Sequence, residues 1–280
     1  MEKFISLFNL DVKEIIEVPE SYSSTVRILK LANDEKVVLK VPYTKTKLER
    51  EYRILKMLED KLPVPKILNY YVDEEAVGAM LLSYIDGEPI TEITTDLSYQ
   101  MGELLGRLHT IEVPSFELVL GEKNDWWEAV TIRFNEWLSE CEGFLPEDFL
   151  NQCRRKLETI FGELPKPDGP AMIHFDYRPG NILVRDNQIV GLIDFESSRG
   201  GSRDIDFTKM KLYVWDCYPG SKEAFISGYE TVRPLPDIET TLPLYLFFNG
   251  IGGLAWCVRR NQLSGEFFEE NYKQVKDFLI

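Results

Sequence analysis

Within residues 171–198, AMIHFDYRPGNILVRDNQIVGLIDFESS, three side chains have the types and spacing to do chemistry together. Asp176 stands five positions before Asn181, and Asp194 follows eighteen positions after Asp176. Two short apolar runs, residues 181–184 and 189–193, flank the polar turn Arg185-Asp186-Asn187-Gln188, the pattern of a small hairpin. A hairpin brings the start of one strand beside the end of the other, so Asn181 and Asp194 should meet at its mouth. Asp176, across the turn Tyr177-Arg178-Pro179-Gly180, can face the same point from the loop side. Two carboxylates and an amide oxygen in one cleft suit a hard cation that keeps waters and holds phosphate. They also leave one carboxylate to accept a proton from a hydroxyl.

The elements upstream supply a second pair. Residues 25–32 and 36–41 read as strands joined by Asn33-Asp34-Glu35. In KVVLKV, Val37, Leu39 and Val41 share one face and Val38 and Lys40 the other, so Lys40 points away from its most apolar neighbours. By itself that lysine could equally guard an exposed strand. In the following stretch, KTKLEREYRILKMLEDKL, Leu48, Tyr52, Leu55 and Leu58 recur at helical spacing. Glu51 falls on that buried face, whereas Glu49 points to solvent. A carboxylate on an apolar face needs a partner, and Lys40 is the natural one. Residues 67–72 and 77–84 read as two more strands. Residues 96–110 read as a helix with Leu97, Met101, Leu104, Leu105 and Leu108 on one stripe and Asp96 as its N-cap. Residues 125–163, 221–230 and 237–280 read as further helices.

His174-Phe175-Asp176, Asn181 and Asp194-Phe195 resemble the catalytic loop and metal-binding segment of the kinase-like phosphotransferases. The closest pattern is that of the aminoglycoside phosphotransferase and choline kinase group, which carries H-G-D, four residues, N, then D-[FW]. Pro179-Gly180-Asn181-Ile182-Leu183 resembles that group's P-G-N-I-L run, and Leu105-Gly106-Arg107-Leu108-His109 its L-x-x-L-H.

The resemblance implies an α+β, two-lobed protein-kinase-like fold. Residues 1–84 would form a small antiparallel sheet with one helix that binds nucleotide, and residues 85–280 a larger, mostly helical lobe with the catalytic loop and acceptor site. Asp176 would orient and deprotonate the acceptor hydroxyl, and Asn181 and Asp194 would hold Mg²⁺. Lys40, fixed by Glu51, would align the phosphates of ATP or GTP. Ser83, Tyr84 and Ile85 would meet the purine ring through their main chain at the link between lobes. His174 would brace the loop, and His109 would be structural.

Two departures from the pattern matter. The stretch Glu20-Ser21-Tyr22-Ser23-Ser24-Thr25, which should cover the phosphates, contains no glycine. Ser23 and Ser24 would have to add hydroxyl donors to backbone N–H groups there. After Asp194-Phe195-Glu196 there is no A-P-E segment, and within a dozen residues the chain reaches Gly201-Ser202-Arg203-Asp204-Ile205-Asp206-Phe207. That resembles the small-molecule group's G-x-P-x-x-D-[LI]-A, with Asp206 at the matching position and at a helix start. A small-molecule acceptor is therefore expected rather than a peptide. An aminoglycoside-type or other cationic antibiotic comes first. A metabolite such as choline, a sugar or homoserine is the alternative, or a catalytically silent nucleotide-binding regulator of the same fold.

The whole-chain balance fits. With 280 residues, 44% hydrophobic and 28% charged, the chain can bury a sizeable core as a soluble globular protein. A formal charge of −15 argues against nucleic acid, whose phosphates need a basic face, and permits a cationic acceptor. No apolar run is expected to approach the length of a membrane span and the start carries acids too early for a signal peptide, which points to the cytoplasm without a membrane partner. Cys141, Cys153, Cys217 and Cys257 make no C-x-x-C pair and are expected to be reduced, mostly packed thiols.

Overall fold

The computed structural model describes residues 1–18, 24–72, 77–119, 125–160 and 164–280. The chain opens with α1 (Glu2–Leu7), β1 (Val12–Glu17), β2 (Ser24–Leu31), β3 (Lys36–Pro42) and α2 (Lys45–Leu58). It continues through β4 (Ile67–Tyr71), β5 (Ala79–Ser83), β6 (Glu88–Pro89), α3 (Thr95–His109), α4 (Trp126–Glu140) and α5 (Glu147–Ile160). Then come β7 (Ala171–Ile173), β8 (Ile182–Arg185), β9 (Gln188–Leu192), β10 (Arg199–Gly201) and α6 (Phe207–Met210). The chain closes with α7 (Ser221–Glu230), α8 (Ile238–Arg259) and α9 (Glu266–Leu279).

Two compact units emerge, each built from several chain segments. The first comprises Met1–Arg107, His174–Ser198 and Tyr213–Thr231. Its five-stranded sheet, in the order β1-β2-β3-β5-β4, is antiparallel throughout. Alternation along β2, β3 and β5 sends Leu29, Val37, Leu39, Ala79 and Leu81 into one cluster, which Phe4 of α1 closes. Lys40 sits on the other face, with α2. That helix starts at Thr44, whose hydroxyl accepts from the Lys47 N–H at 3.3 Å. It buries Leu48, Glu51, Ile54, Leu55 and Leu58, while Tyr52 stacks on Tyr70 with ring centroids 3.9 Å apart.

The expected helix over 96–110 is α3, but Asp96 is not its cap. The Thr94 hydroxyl accepts from the Leu97 N–H at 3.1 Å, which places Asp96 inside the first turn. α3 and α7 approach through paired glycines: a Cβ at Gly102 would lie 1.9 Å from the Phe225 carbonyl, and one at Gly228 1.9 Å from that of Tyr99.

The second unit comprises Leu108–Ile173, Arg199–Leu212 and Val232–Ile280. The two-stranded β7–β10 ladder and the helices α4, α5, α8 and α9 belong to this unit. Trp126, Phe134, Tyr245, Phe247 and Phe248 are fully buried here. The Trp126 indole donates to the Tyr245 hydroxyl at 2.8 Å, so both polar tips are satisfied inside the core. α8 departs from the expectation that no apolar stretch reaches membrane-spanning length. It is long and apolar enough by length and composition, yet most of it is buried within this unit. No disulfide joins the four cysteines, of which Cys141, Cys153 and Cys257 are buried and Cys217 is exposed.

Candidate active site

The hairpin that carries the central stretch is tighter than the four-residue turn expected from its sequence. β8 and β9 pair from Ile182↔Leu192 to Arg185↔Gln188, leaving Asp186 and Asn187 as a two-residue turn. Both have positive φ, 51° and 59°, as a two-residue hairpin with the right-handed strand twist demands. At the other end a single 3₁₀ turn, Pro179–Asn181, delivers Asn181 to the start of β8. The Asn181 carbonyl accepts from the Ile193 N–H at 2.9 Å, so Asn181 lies beside the residue that precedes Asp194.

Asp176 is held by two donors. The Asn181 amide reaches its main-chain oxygen at 2.9 Å and its Oδ2 at 3.0 Å, and Arg178 Nε donates to the same Oδ2 at 3.2 Å. Both donors converge on one carboxylate oxygen, Oδ2. The loop behind is anchored by Tyr177, whose hydroxyl donates to the Met101 carbonyl on α3 at 2.7 Å. His174 is buried, with Nε2 3.0 Å from the Ile193 carbonyl and its ring 4.8 Å from that of Phe195. It therefore ties the Asp176 loop to the strand end at Asp194. Besides the two hairpin-turn residues, Phe175 and Asp194 adopt left-handed backbone, each with φ of 66°. Phe175 occupies the place where the resembled pattern has glycine.

Lys40 gathers three carboxylates. Its Nζ lies 2.9 Å from Glu51 Oε1, 2.7 Å from Asp194 Oδ1 and 3.7 Å from Glu196 Oε2. Glu196 in turn accepts from Lys47 Nζ at 2.7 Å, and its main-chain oxygen from Arg50 at 3.3 Å, both on α2. Lys40, Glu51 and Glu196 are all buried. Burial alone would lower the Lys40 pKa, but the charges of Asp194, Glu51 and Glu196 more than reverse it, so the ammonium stays protonated. Burial pushes the Glu51 carboxyl up to about 7, with Lys40 pulling the other way. For Asp194 burial is outweighed by the charge and hydrogen bond of Lys40, which hold it below the usual carboxylate range.

The donor set fits a hard divalent cation. Asn181 turns its amide nitrogen to Asp176, which leaves the amide oxygen facing away, and Asp194 has a second oxygen beyond the one on Lys40. No group of three His, Cys, Asp or Glu side chains is assembled for a metal among the described residues. A magnesium-like ion needs none, since it keeps waters and shares phosphate oxygens.

The remaining expected residues fall as follows. Ser23 lies outside the described residues. Ser24 is buried at the start of β2, opposite Pro42. Ser83 engages Lys66, donating its N–H to the Lys66 carbonyl at 2.8 Å and accepting from the Lys66 N–H at 2.9 Å. Tyr84 and Ile85 follow β5 outside any strand, with Lys36 Nζ 4.9 Å from the Tyr84 ring centre. His109 is buried 3.2 Å from Asp206, and burial lowers its pKa. Asp206 does stand at the start of α6 but makes no side-chain cap there; its carboxylate serves His109 instead. Sequence reasoning missed Glu196, Lys47 and Arg178. An acid two positions after Asp194 and a lysine one turn before Glu51 were visible signals.

The phosphotransferase enzyme family (APH) matches residues 14–235, and the chain belongs to that family. A homoserine kinase of Gluconobacter oxydans is 26% identical over 176 residues, which is 58% of this chain and 52% of that protein. The chain thus spans about half the length of the curated relatives it matches. Among solved structures, the GDP and kanamycin complex of APH(2")-IIia superposes with a TM-score of 0.75 at 13% identity, covering 98% of this chain and 96% of the other. A macrolide 2'-phosphotransferase of Brachybacterium faecium gives 0.67 at 15% identity, covering 98% and 95%. The antiparallel N-terminal sheet followed by a helical region is the α+β, kinase-like fold of these phosphotransferases.

Proposed function

We propose that the protein transfers the γ-phosphate of ATP or GTP to a hydroxyl of a small molecule. The observation that carries this reading is the Lys40–Glu51–Asp194 cluster together with the Asn181–Asp176 hydrogen bond, linked where the Ile193 N–H meets the Asn181 carbonyl. Asp176 accepts the proton of the acceptor hydroxyl at Oδ1, while Asn181 and Arg178 fix the carboxylate's orientation. Lys40, anchored by Glu51, aligns the phosphates, with the main chain of residues 83–85 at the base and the lobe boundary near residue 84. Asn181 and Asp194 would hold Mg²⁺. When bound, such an ion neutralises phosphate charge and stabilises the transferring group. The protein's part is positioning and charge stabilisation.

For the acceptor, the curated relatives favour a hydroxy amino acid of the homoserine type. Aminoglycoside-type and other cationic antibiotics are the second class, motivated by the charge of −15 and by the shared fold. The test is a phosphate-transfer screen with ATP and GTP, each with Mg²⁺, against homoserine, choline, sugars and aminoglycosides. Transfer to one acceptor class is the expected result. Nucleotide binding with no transfer to any of them and no slow hydrolysis would overturn catalysis in favour of a silent nucleotide-binding regulator.

A further inference from the structure

We propose that Glu196 is a positioning residue for Lys40: it takes up the ammonium when Asp194 turns to a cation-bound nucleotide, and Lys47 holds it within reach. The inference rests on the phosphotransferase reading above. An ammonium has three N–H donors. Here one goes to Glu51 Oε1 at 2.9 Å and one to Asp194 Oδ1 at 2.7 Å. A third carboxylate stands near, with Glu196 Oε2 at 3.7 Å, close enough for attraction and too far for a hydrogen bond. That oxygen is buried, and among the described residues it receives no hydrogen bond.

A cation on the second Asp194 oxygen would draw charge from that carboxylate and loosen its hold on Lys40. With Glu51 on one N–H and phosphate on another, the third N–H of the Lys40 ammonium, 5% exposed, would then need an acceptor that water is poorly placed to supply. Glu196 Oε2 is that acceptor, already facing the ammonium and itself short of a donor. Its other oxygen is pinned by Lys47 at 2.7 Å and its main-chain oxygen by Arg50 at 3.3 Å. Both pins come from α2, the helix that carries Glu51. One helix therefore places both of the acceptors that Lys40 keeps while Asp194 works elsewhere.

Glu196→Gln separates this role from plain electrostatics. Removing a negative charge near the phosphates should tighten nucleotide binding with or without metal. The handover requires the opposite for the metal complex. Calorimetric titration of the full chain with MgATP should show about tenfold weaker binding in Glu196→Gln. Metal-free ATP should bind unchanged or more tightly. MgATP affinity equal to or above the parent's would overturn the proposal. Lys47→Met, which leaves Glu196 in place but loose, should weaken MgATP about threefold and should add nothing to Glu196→Gln in the double variant. It also carries the test should Glu196→Gln not fold. A loss of metal-free ATP affinity in Lys47→Met would mean that Lys47 grips phosphate directly, and the latch would be wrong. A parent protein that binds neither ATP nor GTP with Mg²⁺ would instead overturn the phosphotransferase reading, and this inference with it.

Discussion

Replacing Phe175 with glycine and, separately, with alanine measures what the backbone before Asp176 costs. Phe175 has φ of 66°, where an L side chain meets its own carbonyl and loses roughly 1–2 kcal/mol. Its ring is half-buried, so deleting it should cost about 1–2 kcal/mol of apolar burial. Alanine loses the ring and keeps the strain, and should destabilise by about 1–2 kcal/mol. Glycine loses the ring as well but removes the strain, against about 0.5–1 kcal/mol of extra freedom in the unfolded chain. The glycine variant should therefore lie within about 1 kcal/mol of the parent and above the alanine variant. That inverts the ordinary order, in which glycine is the less stable by about 0.5–1 kcal/mol. Thermal or urea unfolding of the three proteins side by side is the assay, with a separation of a few degrees in Tm expected. If alanine proves as stable as glycine or more so, the left-handed backbone stores no strain and the reasoning fails. Because Asn181 and Arg178 hold the Asp176 carboxylate independently, the glycine variant should keep turnover within a few-fold of the parent.

Other perturbations act on the charged groups. Asp176→Asn keeps the bond geometry around Asn181 but cannot accept a proton. Its kcat should fall by about 10²–10⁴ with little change in nucleotide affinity, and a near-parental rate would remove Asp176 from the base role. Lys40→Met leaves Glu51, Asp194 and Glu196 facing one another without their shared cation. Stability should drop by about 3 kcal/mol, and nucleotide KM should rise as kcat falls; a variant with the parent's Tm and KM would contradict the clamp. Glu51, pushed up to about 7 by burial, binds its proton more tightly in the folded than in the unfolded chain. Its contribution to stability is therefore largest at low pH and is lost as pH climbs from about 4.5 to about 7. Across that window Glu51→Gln should lose less Tm than the parent, and parallel Tm–pH curves would refute the shift.

What was legible in the sequence was whatever a short spacing or a single period could fix. The hairpin could be read because apolar runs bracket four polar residues. The Lys40–Glu51 pair could be read because strand alternation and helical phase each assign a face. The same reasoning missed Ile54, which packs beside Leu55 on a broader apolar stripe than the one traced through Leu48. Glu196 was visible as an acid two positions after Asp194, but its direction was not. It sits in the 3₁₀ turn Phe195–Ser197, directly after a left-handed Asp194, where no period runs through and no face can be assigned in advance. Its partner Lys47 lies 149 positions away. The cap of α3 failed on local competition, since Thr94 and Asp96 are both good cap residues and only the backbone decides between them.

The buried polar contacts of the second unit were the least legible. Trp126 meets Tyr245, and Arg203 and Arg233 both reach Asp168, at 2.8 and 3.4 Å. Each joins residues from separate segments whose local patterns are merely amphipathic or polar. Such pairs follow from tertiary packing, which brings polar tips together only after the apolar faces have docked. The chemistry-bearing residues escape this limit in part because three of them share one hairpin and its loop. Their mutual geometry is set over a stretch short enough for turn length and strand register to dictate. Lys40 comes from far upstream, and it became legible only because burying Glu51 on α2 demands a nearby cation.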